Sequence, residues 1–259
     1  MEGLGYLYAT GSIIQINRTM LNAGEQKRYN RQLIIPEIGE EGQQRLKASR
    51  ILIVGAGGLG SAASVYLAAT GIGTLGIMDA DTIDLSNLQR QILYKHSDTG
   101  QLKSSVAGTR LREQNPWITI HTYPEKLTQA NCAIIREYDV VVSCLDNSAT
   151  RYLLDENCSN YNIPLVHASV SKFEAQVSVF NYNNGPSYHD IFPVPPTSDF
   201  ETPEARGVIA PLPGIAGCMQ ATEVIKIITK AGQPLSGKLL IINTLIPSFR
   251  IISLTADKN

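Results

Sequence analysis

The sequence lacks an excess of charge of either sign. Its 259 residues include 22 Lys and Arg against 23 Asp and Glu, which gives a formal net charge of -1. A chain without a net field has no global attraction to nucleic acid or to an anionic membrane surface. The composition therefore predicts neither kind of partner.

Paired cysteines and long apolar runs are also missing. The four cysteines stand far apart, at Cys132, Cys144, Cys158 and Cys218. No C-x-x-C pair occurs, which excludes the patterns of a zinc knuckle and of a redox dithiol. Residues 1–18 have neither the basic start nor the sustained apolar stretch of a signal peptide, and no run has the length of a membrane span. Unpaired thiols are typical of a reducing compartment, so we expect a cytoplasmic protein.

What is present is a repeating order of apolar strands and helices. Residues 50–54 are rich in β-branched side chains and predict a strand, which is followed by a glycine turn, a helix over 59–71 and a strand over 74–81. This order favours a parallel sheet with right-handed crossovers. The pattern continues with expected helices at 100–115, 131–138 and 148–162 and expected strands at 119–125, 139–146 and 164–170.

The pattern changes in the last third of the chain. Residues 175–183 alternate, residues 214–232 have a helical pattern, and two final apolar runs resemble an antiparallel pair. We predict an α/β fold with a Rossmann-like, mostly parallel sheet that is flanked by helices and continues into a more antiparallel C-terminal half. Residues 25–259 are expected to form one domain. Residues 1–24 are expected to be an N-terminal arm, of the kind that is often disordered.

A glycine turn follows the first strand directly. Gly55, Gly57 and Gly60 form a G-x-G-x-x-G motif between this strand and a helix. Because these residues lack Cβ atoms, a phosphate can approach the backbone closely, and the helix N-terminus attracts the anion. A turn that only packs the helix against the sheet is the alternative. Strand, motif and helix together predict a nucleotide site, but they do not say which nucleotide.

Two acids follow the second strand. Asp79 lies 24 residues after Gly55, at a position where a carboxylate can accept hydrogen bonds from ribose hydroxyls. A carboxylate at this position suits the ribose of NAD and of ATP equally well. Asp81 is a second candidate, for which an ordinary solvated carboxylate at a strand end is the alternative interpretation.

Three charged residues distinguish a site for ATP from a site for NAD. Arg90 and Lys103 lie in the segment that returns across the carboxyl edge of the sheet, and Asp146 ends a later strand at the same edge. A carboxylate that holds Mg²⁺, together with cations that offset charge on phosphoryl oxygens, suits attack on a phosphate. Taken alone, Arg90 or Lys103 would be interpreted as an ordinary surface charge. Taken together they argue against hydride transfer, which does not need several cations near the phosphates.

Five short segments follow one another along the chain: "RYNRQ" at 28–32, "GAGGLG" at 55–60, "LSNLQRQ" at 85–91, "GQLK" at 100–103 and "LDN" at 145–147. In this order and at these spacings they resemble the MoeB/ThiF adenylyltransferases, bacterial relatives of ubiquitin-activating enzymes. The resemblance covers nearly the whole chain after the N-terminal arm. It implies a Mg·ATP-dependent enzyme that adenylates the C-terminal glycine of a ubiquitin-like sulfur carrier, or a peptide, and releases pyrophosphate.

The resemblance also implies roles for individual residues. The residues expected around the phosphates and the ribose are Gly55, Gly57, Gly58, Asp79, Asp81, Asn87, Arg90 and Lys103. The residues expected to take part in catalysis are Arg31, Arg90, Lys103 and Asp146. Of these, Asp146 would hold Mg²⁺ transiently and position the α-phosphate. Arg31 would reach into the partner subunit's site, which implies a homodimer.

Two features of typical family members are missing. Such members bind a structural zinc through two C-x-x-C pairs, but Ser187 and Asp190 stand at the place of the first pair, and no second pair occurs near Asn259. We therefore expect no structural zinc. The loop cysteine that some members link to the carrier is absent from residues 197–212, and Cys218 is expected in the core. Adenylation without a covalent link through this loop is the expectation.

Two other functions stay open beside adenylation. An NAD-dependent oxidoreductase would use the glycine turn and Asp79 but would leave "LSNLQRQ", Lys103 and Asp146 unexplained. A non-catalytic relative that only holds a carrier would not need Arg31 and Arg90 beside those two residues. The sequence does not name the carrier, its pathway or the sulfur donor.

Overall fold

A computed structural model describes residues 20–194 and 207–254 of the protein. Its strands, in chain order, are β1 (Arg50–Val54), β2 (Thr74–Met78), β3 (Thr119–Tyr123), β4 (Val140–Ser143), β5 (Leu165–Ser171), β6 (Glu174–Phe180), β7 (Lys238–Asn243) and β8 (Ser248–Ser253). They pair side by side in one sheet, in the order β3-β2-β1-β4-β5-β6-β7-β8.

Helices connect and cover these strands. The α-helices of the described residues are α1 (Ala23–Leu33), α2 (Gly39–Ala48), α3 (Gly58–Thr70), α4 (Lys103–Gln114), α5 (Ser148–Asn160), α6 (Tyr188–Ile191) and α7 (Pro211–Thr229). Short 3₁₀ helices span Leu85–Asn87, His96–Asp98 and Cys132–Glu137. Within the described ranges, no helix has the combined length and apolar character that crossing a membrane requires.

The sheet has a parallel and an antiparallel half. The pairs from β3 to β5 are all parallel, whereas β6, β7 and β8 are added in antiparallel fashion. The predicted fold class is therefore confirmed. Because parallel strands end at a common edge, the turns that follow β1, β2 and β4 meet there.

Strand β1 shows why the apolar run in the sequence is unbroken. Ile51 and Ile53 belong to the apolar cluster on one face of the sheet, and Leu52 and Val54 belong to the cluster on the other face. Side chains alternate between the two faces of a strand, and all four are buried. A strand that is covered by helices on both faces has no polar face to show.

The segment predicted as a helix over residues 131–138 is helical, with tighter turns than an α-helix. It forms a 3₁₀ helix over Cys132–Glu137, in which the Tyr138 N–H donates to the Ile135 carbonyl at 3.1 Å. Only Cys132 and Ile135 are buried in it. Anchors three residues apart suit a helix with three residues per turn, so the predicted helix is present and has the 3₁₀ form.

The predicted N-terminal arm lies mostly outside the described residues. Its last part belongs to the fold, because Leu21 is buried and Asn22 caps helix α1. The Asn22 side chain accepts a hydrogen bond from the Glu25 N–H, and the Glu25 carboxylate accepts one from the Asn22 N–H, both at 2.9 Å. Such a reciprocal cap fixes the first turn of the helix.

Candidate nucleotide site at the carboxyl edge of the sheet

A cleft of about 1050 Å³ opens where the turns after β1, β2 and β4 meet. Nine of the ten residues predicted for the site line it: Gly55, Gly57, Gly58, Asp79, Asp81, Asn87, Arg90, Lys103 and Asp146. Arg31 is the exception, since it is exposed on the last turn of α1 and does not line the cleft of its own chain. The parallel half of the sheet thus brings together residues that are up to 91 positions apart, from Gly55 to Asp146.

The glycine turn forms one wall of the cleft. Gly55 has a φ of +97°, and a Cβ there would collide with the Cys144 carbonyl. A Cβ on Gly60 would collide with the Gly55 carbonyl. Helix α3 then starts without a side-chain cap on Gly57, so the N–H groups of its first turn are open to an anion in the cleft.

Asp79 connects the end of β2 to this glycine turn. Its carboxylate accepts a hydrogen bond from the Ala56 N–H at 2.7 Å and another from the Asp81 N–H at 2.8 Å. Burial raises the pKa of Asp79 above its ordinary range, and the two backbone hydrogen bonds counter this rise in part. Each carboxylate oxygen has a further lone pair, which leaves room for ribose hydroxyls as donors.

Lys103 begins helix α4 and is buried in the cleft wall. Its ammonium lies 2.9 Å from the Asp81 carboxylate, and its N–H donates to the Asp81 carbonyl at 2.9 Å. The Tyr94 hydroxyl joins this wall to the glycine turn, because it donates to the Ala56 carbonyl at 2.7 Å and lies 3.3 Å from the Lys103 carbonyl. Burial raises the pKa of Tyr94 far above its usual value, so its hydroxyl stays a donor.

Asn87 and Arg90 stand on the turn that crosses the cleft. The Asn87 side chain accepts a hydrogen bond from the Asp84 N–H at 3.3 Å, as part of a capping box on the 3₁₀ turn. Among the described residues, the Arg90 guanidinium donates to the Ser86 carbonyl at 3.2 Å, and no carboxylate forms an ion pair with it. Its charge is therefore available to a phosphate.

Asp146 lies on the turn between β4 and α5. It is exposed, and among the described residues none donates a hydrogen bond or forms an ion pair to its carboxylate. The neighbouring Asn147 is engaged differently, since it caps α5 by accepting the Thr150 N–H at 2.9 Å. No cluster of three or more potential metal-ligating side chains occurs in the described ranges. One free carboxylate suits Mg²⁺ that arrives with phosphates, because this ion keeps most of its waters.

Several lining residues were not predicted. They are apolar or polar residues from the ends of β3 and β5 and from α5, among them Leu127, Ser169, Val170, Thr150 and Arg151. The predicted ends of the strands were the signal in the sequence for these lining residues. Any residue just beyond a parallel strand lies at the same edge of the sheet. Arg151 also follows the "LDN" segment within one helical turn.

The residues at the place of the missing zinc ligands form hydrogen bonds with each other. The Ser187 hydroxyl accepts the Asp190 N–H at 3.0 Å, and the Asp190 carboxylate accepts the Ser187 N–H at 2.8 Å. Both side chains are thus engaged in capping α6. Ser187, His189 and Asp190 do not fit a tetrahedral zinc site, which takes four Cys or His ligands.

Comparison with known proteins shows the family of the chain. The sequence model of the ThiF family matches residues 29–259. The chain is 43% identical to "Adenylyltransferase and sulfurtransferase MOCS3" of Bos taurus over 239 residues, which are 92% of this chain and 52% of that protein. It is 39% identical to a probable molybdopterin-synthase adenylyltransferase of Gracilaria tenuistipitata var. liui over 245 residues, 94% of this chain and 69% of that protein.

The fold has solved counterparts as well. The crystal structure of E. coli MccB with ATP matches with a TM-score of 0.77 and 25% identity, over 92% of this chain and 73% of that chain. The chain spans about half the length of the MOCS3 proteins that it matches. The activity of those longer proteins is therefore a guide to this one and not a measurement of it.

Proposed function

This chain belongs to the ThiF family, and from that premise we propose that it is an ATP-dependent adenylyltransferase. Its substrate would be the C-terminal glycine carboxylate of a ubiquitin-like sulfur-carrier protein, or of a peptide. The relatives at 39% and 43% identity are named adenylyltransferases. Residues 25–259 would act as one adenylation domain in the cytoplasm, a compartment with which the free thiols are consistent.

The observation that carries the proposal is the charge arrangement in the cleft. Arg90 has no acidic partner among the described residues, Lys103 is held at the cleft wall, and Asp146 presents a free carboxylate. These three groups surround the space in front of the glycine turn. A triphosphate needs such cations, and a nucleotide-borne Mg²⁺ needs such a carboxylate.

The reaction is an in-line displacement at the α-phosphorus. A carboxylate oxygen of the substrate glycine forms a bond to this phosphorus, the bond to the oxygen that bridges the α- and β-phosphates breaks, and pyrophosphate leaves. Mg²⁺ held by Asp146 would supply neutralisation of phosphate charge. The N–H groups at the start of α3 bind the phosphates, and Arg90 and Lys103 offset charge on the phosphoryl oxygens. The protein's contribution is positioning and electrostatics.

The two competing functions explain fewer of the residues that line the cleft. An NAD-dependent oxidoreductase would use the glycine turn and Asp79, but it would have no use for a free Arg90 and a free Asp146 facing the phosphates. A relative that only binds a carrier would have no use for the ribose acceptor and the phosphate wall.

Strand β8 supports a protein substrate. It is the last strand of the sheet, and its side chains are open: Phe249 is 66% and Ile251 is 62% exposed. The loop before it exposes Leu245 and Ile246 by 65% and 72%. An apolar edge strand of this kind is a template for pairing with another sheet. We propose that the carrier domain docks here, while its C-terminal tail reaches the cleft.

Arg31 supports a homodimer. It lies outside the cleft of its own chain, beside Ile34 and Ile35, which are 62% and 40% exposed. In a two-fold dimer the same apolar patch would be covered on both subunits, and each Arg31 would enter the partner's cleft.

The test is exchange of pyrophosphate into ATP. The protein is incubated with ATP, labelled pyrophosphate and candidate carriers that end in Gly-Gly, and label in ATP is counted. We expect exchange that depends on the carrier and that Asp146→Ala abolishes in a folded protein. Exchange that is unchanged in Asp146→Ala would contradict the role of this carboxylate, and no exchange with any carrier or peptide would contradict the function.

A further inference from the structure

We infer that Arg151 is a positioning residue for Asp146. It acts by holding the turn that carries Asp146, and it is itself held by helix α6. The inference rests on the proposed function, because it concerns the carboxylate that would meet the metal-bound nucleotide.

Arg151 reaches back from the first turn of α5 to the strand end. Its Nη2–H donates to the Leu145 carbonyl at 2.9 Å, and Leu145 immediately precedes Asp146. On the other side of Asp146, Asn147 accepts the Thr150 N–H at 2.9 Å. The backbone of Asp146 is thus fixed on both sides, while its carboxylate is left free.

The guanidinium of Arg151 is held by an aromatic ring and not by an acid. Its central carbon lies 5.9 Å from the centre of the Tyr188 ring, and its Nη1–H donates to the Tyr188 hydroxyl at 3.4 Å. Among the residues that the structure describes, no carboxylate forms an ion pair with it, and its buried Nε has no hydrogen-bond partner. A buried donor without an acceptor costs free energy.

A second buried ring packs against Tyr188. His167 lies on β5 with its ring centre 5.1 Å from that of Tyr188, and its Nδ1 has no partner among the described residues. Burial and the nearby charge of Arg151 keep the pKa of His167 well below its usual value, so the ring is neutral.

Tyr188 is fixed by the same helix that carries Arg151. Asp155, one turn further along α5, is buried and accepts hydrogen bonds from the N–H groups of Tyr188 and His189 at 2.9 Å and from the Asn181 amide at 3.0 Å. Residues four apart share one face of a helix. One face of α5 therefore anchors α6 through Asp155, and Tyr188 of α6 in turn holds Arg151.

The test uses the whole protein and two independent measurements. The first is binding of Mn²⁺, as a probe for Mg²⁺, in the presence of a non-hydrolysable ATP analogue, followed by electron paramagnetic resonance. The second is pyrophosphate exchange. Loss of a residue that orients a metal ligand lowers metal affinity by about 10- to 100-fold. We expect this loss in Arg151→Ala and Arg151→Lys, with a smaller loss in binding of the analogue without metal, because Arg151 lines the cleft but its hydrogen bonds go to Leu145 and Tyr188.

Arg136 provides the matched control. Its guanidinium also lies over a tyrosine ring, 4.3 Å from the centre of Tyr161, but it lines no part of the cleft. Arg136→Ala should bind Mn²⁺ and the analogue like the unmodified protein.

The outcomes separate the inference from the proposed function. Wild-type Mn²⁺ affinity in folded Arg151→Ala, or in Arg151→Lys if the alanine variant does not fold, would overturn the inference. An equal loss of metal-free analogue binding in Arg151→Lys would overturn it too, because Arg151 would then contact the nucleotide itself or hold the whole cleft. Absence of exchange in the unmodified protein would contradict the function alone, and the Mn²⁺ titration would still decide the inference.

Discussion

The ammonium of Lys103 lies 2.9 Å from the Asp81 carboxylate, with the Lys103 side chain 8% and the Asp81 side chain 58% exposed. The cation is therefore held at the cleft wall before a phosphate arrives. Because Asp81 faces solvent, an ion pair with it contributes about 1 kcal/mol or less. A phosphate can take over the ammonium at little cost.

The first prediction concerns Lys103→Ala. Removal of one preorganised donor to a developing charge lowers kcat by about 10²- to 10³-fold, and we expect this loss in pyrophosphate exchange. The exposed Asp81 carboxylate is solvated once its partner is gone, so loss of the ion pair itself should lower the free energy of unfolding by less than about 1 kcal/mol. Removal of the buried methylene groups of the lysine adds to this loss. Exchange kinetics and chemical denaturation measure the two effects.

Lys226→Ala is the control for this variant. Lys226 pairs with Glu223 at 2.5 Å, and the Glu223 side chain is 1% exposed. Removal of the lysine leaves a buried carboxylate without its cation, which should cost up to about 3 kcal/mol of stability. The kcat per folded molecule should stay unchanged, since neither residue lines the cleft. A Lys103→Ala protein that exchanges at the normal rate would refute the role of Lys103.

The second prediction concerns pH and Asp79. Burial raises its pKa above the ordinary value of about 3.9, so the folded protein binds a proton at a higher pH than the unfolded chain does. Ionised Asp79 therefore lowers stability at neutral pH, and this penalty is relieved as the pH falls through the raised pKa. The protonated oxygen is a poorer acceptor for the Ala56 N–H and for ribose, so affinity for an ATP analogue should fall over the same range.

Analogue titrations between pH 7 and about pH 4 check this, with Asp79→Asn as the comparison. The variant should bind weakly and without the decline that Asp79 causes. An identical pH dependence in the two proteins would assign the titration to another group.

The third prediction concerns Arg31. Arg31→Ala and Asp146→Ala should each be inactive, but mixed dimers should regain activity. In a mixed dimer one cleft has an intact Asp146 and receives Arg31 from its partner. Half of the dimers in an equal, fully exchanged mixture are mixed, and one of their two clefts is complete, so about a quarter of the normal activity is expected. No recovery after confirmed subunit exchange would show that Arg31 does not act across the dimer.

The fourth prediction concerns the edge strand β8. Phe249 and Ile251 lie two residues apart and so point to the same face of the strand. Ile251→Asp should raise KM for a carrier protein by at least about tenfold, because it places a charge in an apolar contact. KM for ATP should be unchanged. Ile92→Asp is the comparison, since Ile92 is also exposed, at 69%. Equal effects of the two substitutions would argue against docking on β8.

Much of the fold follows from the order of elements along the chain. Strand β1 was predicted with its observed bounds, because a strand covered on both faces leaves a continuous apolar run. The gathering of Asp79 and Asp146 was predictable for a related reason, since both follow parallel strands that end at one edge.

The individual contacts could not be predicted in the same way. Lys103 and Asp81 are 22 residues apart, and their pairing depends on where α4 starts relative to β2. The hydrogen bonds of Asp155 to α6 span 33 and 34 residues. Periodicity carries no information on such distances, because it reports which face of an element is buried and not which partner covers it.

The most direct measurement is the mass of the carrier after reaction. A carrier protein that ends in Gly-Gly is incubated with the protein, ATP and Mg²⁺, quenched in acid and examined by intact-mass spectrometry. We expect a product heavier by one adenylyl group, which is absent when the last glycine is deleted or when Asp146→Ala replaces the normal protein. A carrier of unchanged mass, with no adenylate on any carrier or peptide that binds, would contradict the central claim.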